Sequence, residues 1–205
     1  MTTKPIAYPE PSERGQDLFY GLGVRKNYRK AFPLLMEAAQ SGHVHCMNLV
    51  GYSYDSGFGV QKDFAAAVHW YGRAAEHSHR VALYNLAVCY DRGHGVQADP
   101  DKAFSLYQQS AMLGDLPAAC NLGVMFMDGC GTEQNPADGI WWFRWAARKG
   151  EAKAQYNLGR AYSYGEGVPK NRRRALAWLG KATEQGNKMA VELLADLVKP
   201  KVGSV

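Results

Sequence analysis

The sequence predicts an all-α solenoid of about five helix–turn–helix repeats, each 36 residues long, closed by a C-terminal capping helix. Three observations support it: a recurring glycine pair, a capping residue at a constant offset behind each pair, and a helical apolar face before it. The Gly-x-Gly pair keeps a step of 36 residues without insertion, at Gly21/Gly23, Gly57/Gly59, Gly93/Gly95, Gly129/Gly131 and Gly165/Gly167. Repeats of this length are helix pairs that bury their apolar faces by stacking on their neighbours.

The second helix of each repeat, helix B, lies between a capping residue and a stop. The capping column holds Asn27, Asp63, Asp99, Asn135 and Asn171, whose side chains can accept bonds from the first helical turn. Pro100 and Pro136 follow two of these caps, where a missing N–H does no harm. The stop column suits a left-handed residue and holds Gly42, Ser78, Gly114, Gly150 and Gly186. Helix B is therefore predicted near 28–41, 64–77, 100–113, 136–149 and 172–185.

The first helix, helix A, ends at the first glycine of each pair. Apolar residues spaced by four, such as Leu86 and Tyr90, give it one buried face. A column of small residues should let helix B of the same repeat approach closely: Gly51, Ala87, Gly123 and Gly159. Helix A is predicted near 45–56, 81–92, 117–128 and 153–164, with a shortened first copy near 12–20. Residues 188–198 should form a last helix that covers the end of the stack with Met189, Leu193, Leu194 and Leu197.

The predicted organisation is a flexible N-terminal tail, one repeat array and a short C-terminal tail. The tail covers residues 1–11, the array 12–198 and the second tail 199–205. Within the array the repeats lie near 12–42, 43–78, 79–114, 115–150 and 151–186, and the capping helix near 187–198.

Charge and cysteine content narrow the environment and the partners. The net charge is +5, from 24 basic and 19 acidic residues in a chain of 205, which favours solubility and hints at an acidic partner. The basic C-terminal third has charge but no recognition element, so nucleic acid is an unlikely partner. No segment has the apolar length of a membrane span, Met1 to Glu10 is unlike a secretory signal, and the cysteines form no CxxC pair. We expect a cytoplasmic protein with free thiols.

Two stretches match a known repeat pattern most fully. In Ala82 to Gly114 and in Ala154 to Gly186 the order is a small residue, Leu, a small residue, Tyr, Gly-x-Gly-Val, a capping Asp or Asn, and Ala. This pattern resembles the Sel-one-like repeat family, a relative of the tetratricopeptide repeats. The resemblance implies a right-handed α/α superhelix whose concave face is lined by helices A, and a role as an adaptor between proteins. Some members are linked to toxin–immunity pairs, and a cysteine-rich branch has been described as β-lactamases. The cysteines here do not recur at the repeat period, so this chain departs from that branch.

The positions of helix A that face away from the core do not recur in kind, so the fold leaves them available for a ligand. We predict that they bind a partner through His45, Asn48, Tyr52, Asp55, Tyr84, Val88, Asp91, Val124, Met127, Lys153, Tyr156 and Arg160. Tyrosines of this kind anchor interfaces, and the apolar middle with charge at both ends suits an extended or helical peptide. The alternative is that these surface residues vary without a function.

No catalytic, cofactor or metal motif emerges. The Gly-x-Gly pairs follow helices and recur as turns, whereas a phosphate loop follows a strand. Histidines near two turns, at 43, 45, 77 and 79, are interpreted as solvated turn residues in preference to a metal site. We therefore predict a non-enzymatic scaffold or adaptor without cofactor, as a monomer or weak dimer. A regulatory or immunity protein that neutralises one toxin or enzyme is the alternative, and a β-lactamase-like hydrolase is less favoured.

Overall fold

The described part of the chain, residues 10–199 of a computed structural model, is entirely helical. Its eleven helices are α1 (Pro11–Tyr20), α2 (Tyr28–Gln40), α3 (Val44–Ser56), α4 (Phe64–Glu76), α5 (Arg80–Arg92), α6 (Pro100–Met112), α7 (Leu116–Asp128), α8 (Pro136–Arg148), α9 (Ala152–Tyr164), α10 (Arg172–Glu184) and α11 (Lys188–Val198). Odd-numbered helices from α1 to α9 are helices A and even-numbered helices are helices B. Every predicted helix is present, with bounds within one residue of the prediction. Both predicted tails lie almost wholly outside the described residues.

The described helices form two compact units, α1–α5 before residue 100 and α6–α11 from residue 100 onward. We call them the N-terminal and C-terminal units. Within each unit, every helix packs against the helices directly before and after it in the chain. In the C-terminal unit, helix A also touches helix A of the next repeat, as α7 does with α9. This nearest-neighbour packing confirms the predicted class of helical repeat stack.

The predicted caps of helix B are confirmed at four of the five positions. Asn27, Asp63, Asn135 and Asn171 each accept a hydrogen bond from the main-chain N–H three residues on, over 3.0–3.2 Å. Helices A have side-chain caps as well, which the sequence analysis missed. They are His43, His79, Asp115, Glu151 and Asn187, the last one capping α11. Helix α1 has no side-chain cap, so a cap is found in every later helix A and in α11, with no particular residue type.

The stop column adopts the left-handed conformation, as predicted. Its four glycines have φ between 78° and 98°, and Ser78 is the one described non-glycine residue with positive φ, at 55°.

The predicted column of small residues in helix A is confirmed too. A Cβ atom at Gly51 would lie 2.7 Å from the ring of Tyr71, and one at Gly123 would lie 2.7 Å from the ring of Phe143. Helices A and B of one repeat are therefore in backbone-to-ring contact.

The second glycine of each Gly-x-Gly pair has a role that the sequence did not reveal. It lies against the start of helix B in the preceding repeat, so that a Cβ at Gly95 would collide with the main chain of Phe64. Gly59 and Gly131 lie in the same way against the main chain at Tyr28 and Pro100. Gly23, in the first repeat, has no preceding repeat and has nothing within 4 Å of such a Cβ. These glycines therefore set the spacing between repeats as well as the turn.

This difference predicts unequal costs for two equivalent substitutions. Gly23→Ala should lose about 1 kcal/mol of unfolding free energy, because alanine is strained at positive φ. Gly95→Ala should lose at least about 2 kcal/mol more, because its methyl group also displaces the preceding repeat. Urea unfolding followed by circular dichroism measures both. Equal losses would show that the second glycine serves the turn alone.

Candidate functional site

Most of the predicted partner-binding residues reach the surface. Tyr52 and Val124 are each 39% exposed, and Asp91 and Lys153 are exposed. The half-buried ones are His45, Asp55, Tyr84, Val88, Met127, Tyr156 and Arg160. Asn48 is buried at 5% exposure, so the expectation that it faces a partner in solvent is wrong.

Asn48 is buried because its side of α3 faces the next helix A. The side-chain amide of Asn85 on α5 donates to the Oδ1 atom of Asn48 over 3.3 Å. In the C-terminal unit, Asn157 donates to the thiol of Cys120 over 3.4 Å, and Cys120 is 2% exposed. Asn48 and Cys120 occupy the same repeat position, which lies at the seam between consecutive helices A. A projection of one helix does not show this contact, because the partner belongs to the next repeat.

Three predicted residues of the N-terminal unit meet in one recess. Asp55 of α3 and Tyr84 and Val88 of α5 line a cavity of about 310 Å³, together with residues of α4 and of the turns. Lys62 and Phe64 also line this cavity, and the ammonium of Lys62 lies 4.4 Å from the centre of the Phe64 ring. The recess thus combines a carboxylate, an ammonium group, a phenol and an aliphatic wall, and we call it the Tyr84 recess.

Tyr52 belongs to an aromatic cluster at the first repeat. Its ring lies 6.2 Å from the ring of Phe19 and 5.6 Å from that of Phe58. Phe58 in turn stacks on Tyr28 at 4.5 Å with nearly parallel planes. Part of the Tyr52 ring therefore packs within the fold, while the exposed part remains available to a ligand.

The C-terminal residues of the prediction are held by neighbours. Arg160 forms an ion pair with Glu166 of the last glycine turn at 3.3 Å. Tyr156 packs on the cluster formed by α10 and the capping helix α11, which confirms that the leucines of α11 cover apolar side chains of the last repeat. Met189 is 57% exposed, so the prediction that it takes part in this cover is wrong. Met127 lies beside Gly139 of α8, where a Cβ would meet its side chain at 2.9 Å.

Three of the four turn histidines, His43, His45 and His79, form side-chain hydrogen bonds, which corrects the interpretation that they are solvated turn residues; His77 is exposed, as predicted. His43 and His79 cap α3 and α5 through Nδ1. His79 also meets His45, with its Nε2 3.3 Å from Nδ1 of His45, and Nε2 of His45 lies 3.2 Å from the hydroxyl of Tyr20. The side chains of Tyr20, His45 and His79 therefore form one hydrogen-bonded chain across three helices A, which we call the histidine chain.

The bonding pattern determines the tautomers of this chain. Nδ1 of His79 accepts the N–H of Ala82 over 3.2 Å, so the proton of the neutral ring is on Nε2. That proton is donated to Nδ1 of His45, whose own proton is then on Nε2 and points at Tyr20. Burial, with the positive charge of neighbouring groups, lowers the pKa of both imidazoles below the ordinary 6.5. The fold therefore stabilises the neutral form of the two imidazoles in the histidine chain.

The four cysteines are free thiols, and Cys46, Cys89 and Cys120 are buried. Burial raises the pKa of Cys46 and Cys89 to about 11 and that of Cys120 to about 12. These thiols stay protonated at neutral pH and pack as small apolar groups. Among the described residues, no group of three or more His, Cys, Asp or Glu is placed to hold a metal ion.

A second recess, in the C-terminal unit, was missed. It lies between α8 and α10 over α9, and Arg144, Arg148 and Arg174 line it. The sequence analysis counted these residues only as net positive charge. Their spacing was a usable signal, because Arg144 and Arg148 are four apart on helix B and lie on one face.

Together, the recurring helix pairs and the sites on non-recurring positions define a helical repeat protein of the tetratricopeptide-like class. A family model of the Sel1 repeat matches residues 15–43, 44–79, 80–115, 116–151 and 152–187. The chain belongs to the Sel1 repeat family, whose solenoids generally serve as protein-interaction scaffolds. No match is found among curated proteins.

Solved structures agree with this assignment. A Sel1 repeat protein from Oxalobacter formigenes is 29% identical with a TM-score of 0.87, covering 93% of this chain and 78% of that one. The protective antigen c5321 of uropathogenic Escherichia coli is 33% identical with a TM-score of 0.85; the match covers 91% of this chain but only 40% of that protein. The immunity protein Pa5087 of Pseudomonas aeruginosa shares the fold at 20% identity, with a TM-score of 0.62 and coverage of 97% and 75%. Among the described helices, none has both the length and the apolar character needed to cross a membrane.

The histidine chain predicts a pH dependence of stability. Both pKa values are lowered in the fold, so the unfolded chain takes up protons first as the pH falls through about 6.5. The stabilisation is complete above that pH and is lost as the pH falls toward the lowered pKa values. His79→Asn keeps a cap acceptor, as Asn187 does in the same column, and removes one titrating ring. Its urea midpoint should fall less than that of the wild type between pH 7.5 and 5.5.

The control is His77→Asn, which changes an exposed histidine at the other side of the same turn. It should keep the full pH dependence of the wild type. Identical pH profiles for His79→Asn and the wild type would remove the histidine chain as the cause.

Proposed function

We propose that this protein is a non-catalytic adaptor that binds a peptide segment of a protein partner on the outward side of its helices A, with the Tyr84 recess as the main anchor. The observation that carries the proposal is that Asp55, Tyr84 and Val88, three residues at non-recurring positions, meet in one cavity of about 310 Å³. The recurring columns account for caps, turns and core, so the stacking of repeats does not require these side chains to be where they are.

The composition of the recess describes the segment that it would accept. Val88 and the Phe64 ring offer apolar walls, and Tyr84 offers an apolar ring with a polar tip. Asp55 places one negative charge at this cavity, and Lys62 and Arg92 place two positive ones. A large apolar side chain next to a charged residue fits this arrangement, which is the usual form of an anchor in peptide recognition.

The predicted residues of the C-terminal unit are proposed as secondary contacts. Val124 and Lys153 are exposed, whereas Met127, Tyr156 and Arg160 are half-buried and each packs on or pairs with a neighbour. They can add contact area and charge without a cavity of their own. Their share of the binding therefore stays a prediction.

A regulatory or immunity role is the alternative form of the same binding activity. The Pseudomonas aeruginosa protein Pa5087 is an immunity protein with this fold, but at 20% identity the likeness extends to the fold alone. The two roles differ in the number of partners. Affinity purification of the tagged chain from its native cells should recover several partners for an adaptor and one stoichiometric partner for an immunity protein.

The remaining parts of the proposal are the absence of catalysis and a cytoplasmic location. No nucleophile–base pair was found in the sequence, and the three buried thiols are protonated at neutral pH. Hydrolysis of a chromogenic β-lactam by the purified chain would contradict the first part. Recovery of the chain outside the cytoplasmic fraction would contradict the second.

Substitution in the Tyr84 recess tests the binding site. Tyr84→Ala and Val88→Asp should each reduce capture of the principal partner by at least about tenfold, because a removed anchor typically costs 2 kcal/mol or more. Tyr156→Ala should reduce it less. The measurement is quantitative mass spectrometry of the captured partner, with circular dichroism to show that each variant is folded.

Met112→Ala is the matched control, because Met112 is 75% exposed at the end of a helix B. It removes a large exposed apolar side chain outside the recess and should leave capture unchanged. Full retention of the partner by both Tyr84→Ala and Val88→Asp would refute the Tyr84 recess as the anchor.

A further inference from the structure

The C-terminal unit has a cavity of about 410 Å³ on the side of its helices B. Helix α8 contributes Arg144 and Arg148, α10 contributes Arg174 and Trp178, and α9 forms the floor with Leu158 and Tyr162. The two floor residues belong to the apolar columns of helix A, so the cavity opens on the opposite side from the outward positions discussed above. We call it the arginine pocket.

Two guanidinium groups converge on one phenol in this pocket. Arg144 donates to the hydroxyl oxygen of Tyr162 over 3.1 Å, and Arg174 donates to the same oxygen over 3.3 Å. Arg174 also lies over the Tyr162 ring, 5.4 Å from its centre. Burial raises the pKa of Tyr162, but the bonds and charges of the two arginines outweigh it and leave the pKa below its ordinary value. Tyr162 thus holds the guanidinium groups of Arg144 and Arg174 at the same point of the cavity.

In the described part of the chain, no ion pair within 4 Å is seen for an arginine of the pocket. The ion pairs seen in this unit are Arg160 with Glu166 and Lys199 with Asp196, and neither involves a pocket arginine. Each guanidinium has five N–H donors, and the bonds to Tyr162 use one from Arg144 and one from Arg174. Lys181 adds a further cation beside the pocket, 4.8 Å from the centre of the Trp178 ring. Two guanidinium groups on one phenol oxygen, with a third lining the same cavity, repel one another, and an anion would relieve this repulsion.

The number of donors and the size of the cavity select the anion. A carboxylate has two oxygens and one charge, which a single guanidinium can satisfy through two parallel bonds. A phosphate monoester has three terminal oxygens and close to two charges at neutral pH, which matches several guanidinium groups. The cavity is larger than a phosphate group alone, and Leu158 and Trp178 offer apolar surface to the group that carries the ester.

We propose that the arginine pocket binds a phosphate monoester, carried either by a phosphorylated side chain of a protein partner or by a small phosphorylated molecule. Arg144, Arg148 and Arg174 bind the phosphate oxygens, Tyr162 holds two of these arginines in place, and Trp178 contacts the esterified group. The proposal does not depend on the Tyr84 recess, because no residue is shared between the two sites.

Calorimetric titration of the full chain at constant ionic strength tests the proposal. The probes are inorganic phosphate, O-phosphoserine, a pentapeptide with a central phosphoserine and its unphosphorylated form, and dimethyl phosphate as a diester. Inorganic phosphate and the two phosphoserine probes should bind, whereas the unphosphorylated peptide and the diester should not. A phosphopeptide that binds at least about tenfold tighter than O-phosphoserine assigns the site to a protein partner, and equal binding assigns it to a small molecule.

Substitutions locate the binding. Arg144→Gln, Arg148→Gln and Arg174→Gln should each weaken phosphate binding by about tenfold or more, as expected for the loss of a charged donor. Among the described residues, Arg148 has no hydrogen bond through its side chain, so its variant separates binding from folding. Arg173→Gln is the matched control: Arg173 is exposed on the same helix as Arg174 but does not line the pocket.

Two results would overturn the proposal. One is binding of phosphate that Arg148→Gln and Arg174→Gln leave unchanged relative to Arg173→Gln. The other is a diester or a single-stranded oligonucleotide that binds as tightly as the phosphoserine probes, which would assign the pocket to nucleic acid. We expect the Tyr84→Ala variant to bind phosphate as the wild type does. The adaptor proposal and the phosphate proposal can therefore fail independently of each other.

Discussion

The contact on which the rest of the structure depends is that between a glycine turn and the backbone of the preceding repeat. The second glycine of a pair touches the first residues of the previous helix B, as Gly95 does at Phe64. At Gly59, Gly95 and Gly131 the nearest atoms are backbone atoms of the preceding repeat, so backbone contact sets the distance between these repeats. A further constraint acts within each repeat, where an aromatic or aliphatic side chain lies directly on a small residue of helix A, as Tyr71 does on Gly51. An inserted residue would break both contacts, which explains the constant 36-residue step.

Because most recurring positions serve stacking, the charged side chains of the two candidate sites lie at positions that do not recur, although the floor of the arginine pocket uses Leu158 and Tyr162 of the recurring apolar columns. The Tyr84 recess and the arginine pocket differ in chemistry and in the side of the repeat on which they open. The recess has charges of both signs beside apolar walls, which suits a peptide side chain. The pocket has only positive charge around a phenol, which suits an oxyanion. One repeat design can thus present a docking surface on helices A and a separate anion site on helices B.

The cap column of helices A shows how a structural requirement can leave chemical freedom. Five helices have a side-chain acceptor at this capping position, and the residue types differ: His43, His79, Asp115, Glu151 and Asn187. Only the N-terminal unit uses histidine there, and one of these histidines bonds onward to His45. A cap that is lost on protonation links the stability of this unit to pH, whereas asparagine caps keep their acceptor at any pH. The residue chosen for a cap therefore decides how the repeat responds to its surroundings.

The sequence by itself determined the class of fold, the helix bounds, four caps of helix B and the left-handed stops. The caps, stops and helix bounds depend on contacts within three or four residues, and the class of fold follows from the 36-residue period, so all of these can be inferred from spacing along the chain. It also placed Asp55, Tyr84 and Val88 on the outward side of helix A, but it could not show that they share a cavity. The tertiary structure decided the rest: that Asn48 is buried at a seam with Asn85, that His79 bonds to His45, and that Arg144 and Arg174 meet on Tyr162. Each of these contacts joins different helices, most of them in neighbouring repeats, and depends on how those helices pack. The period predicts that repeats stack but not which side chains meet across the interface.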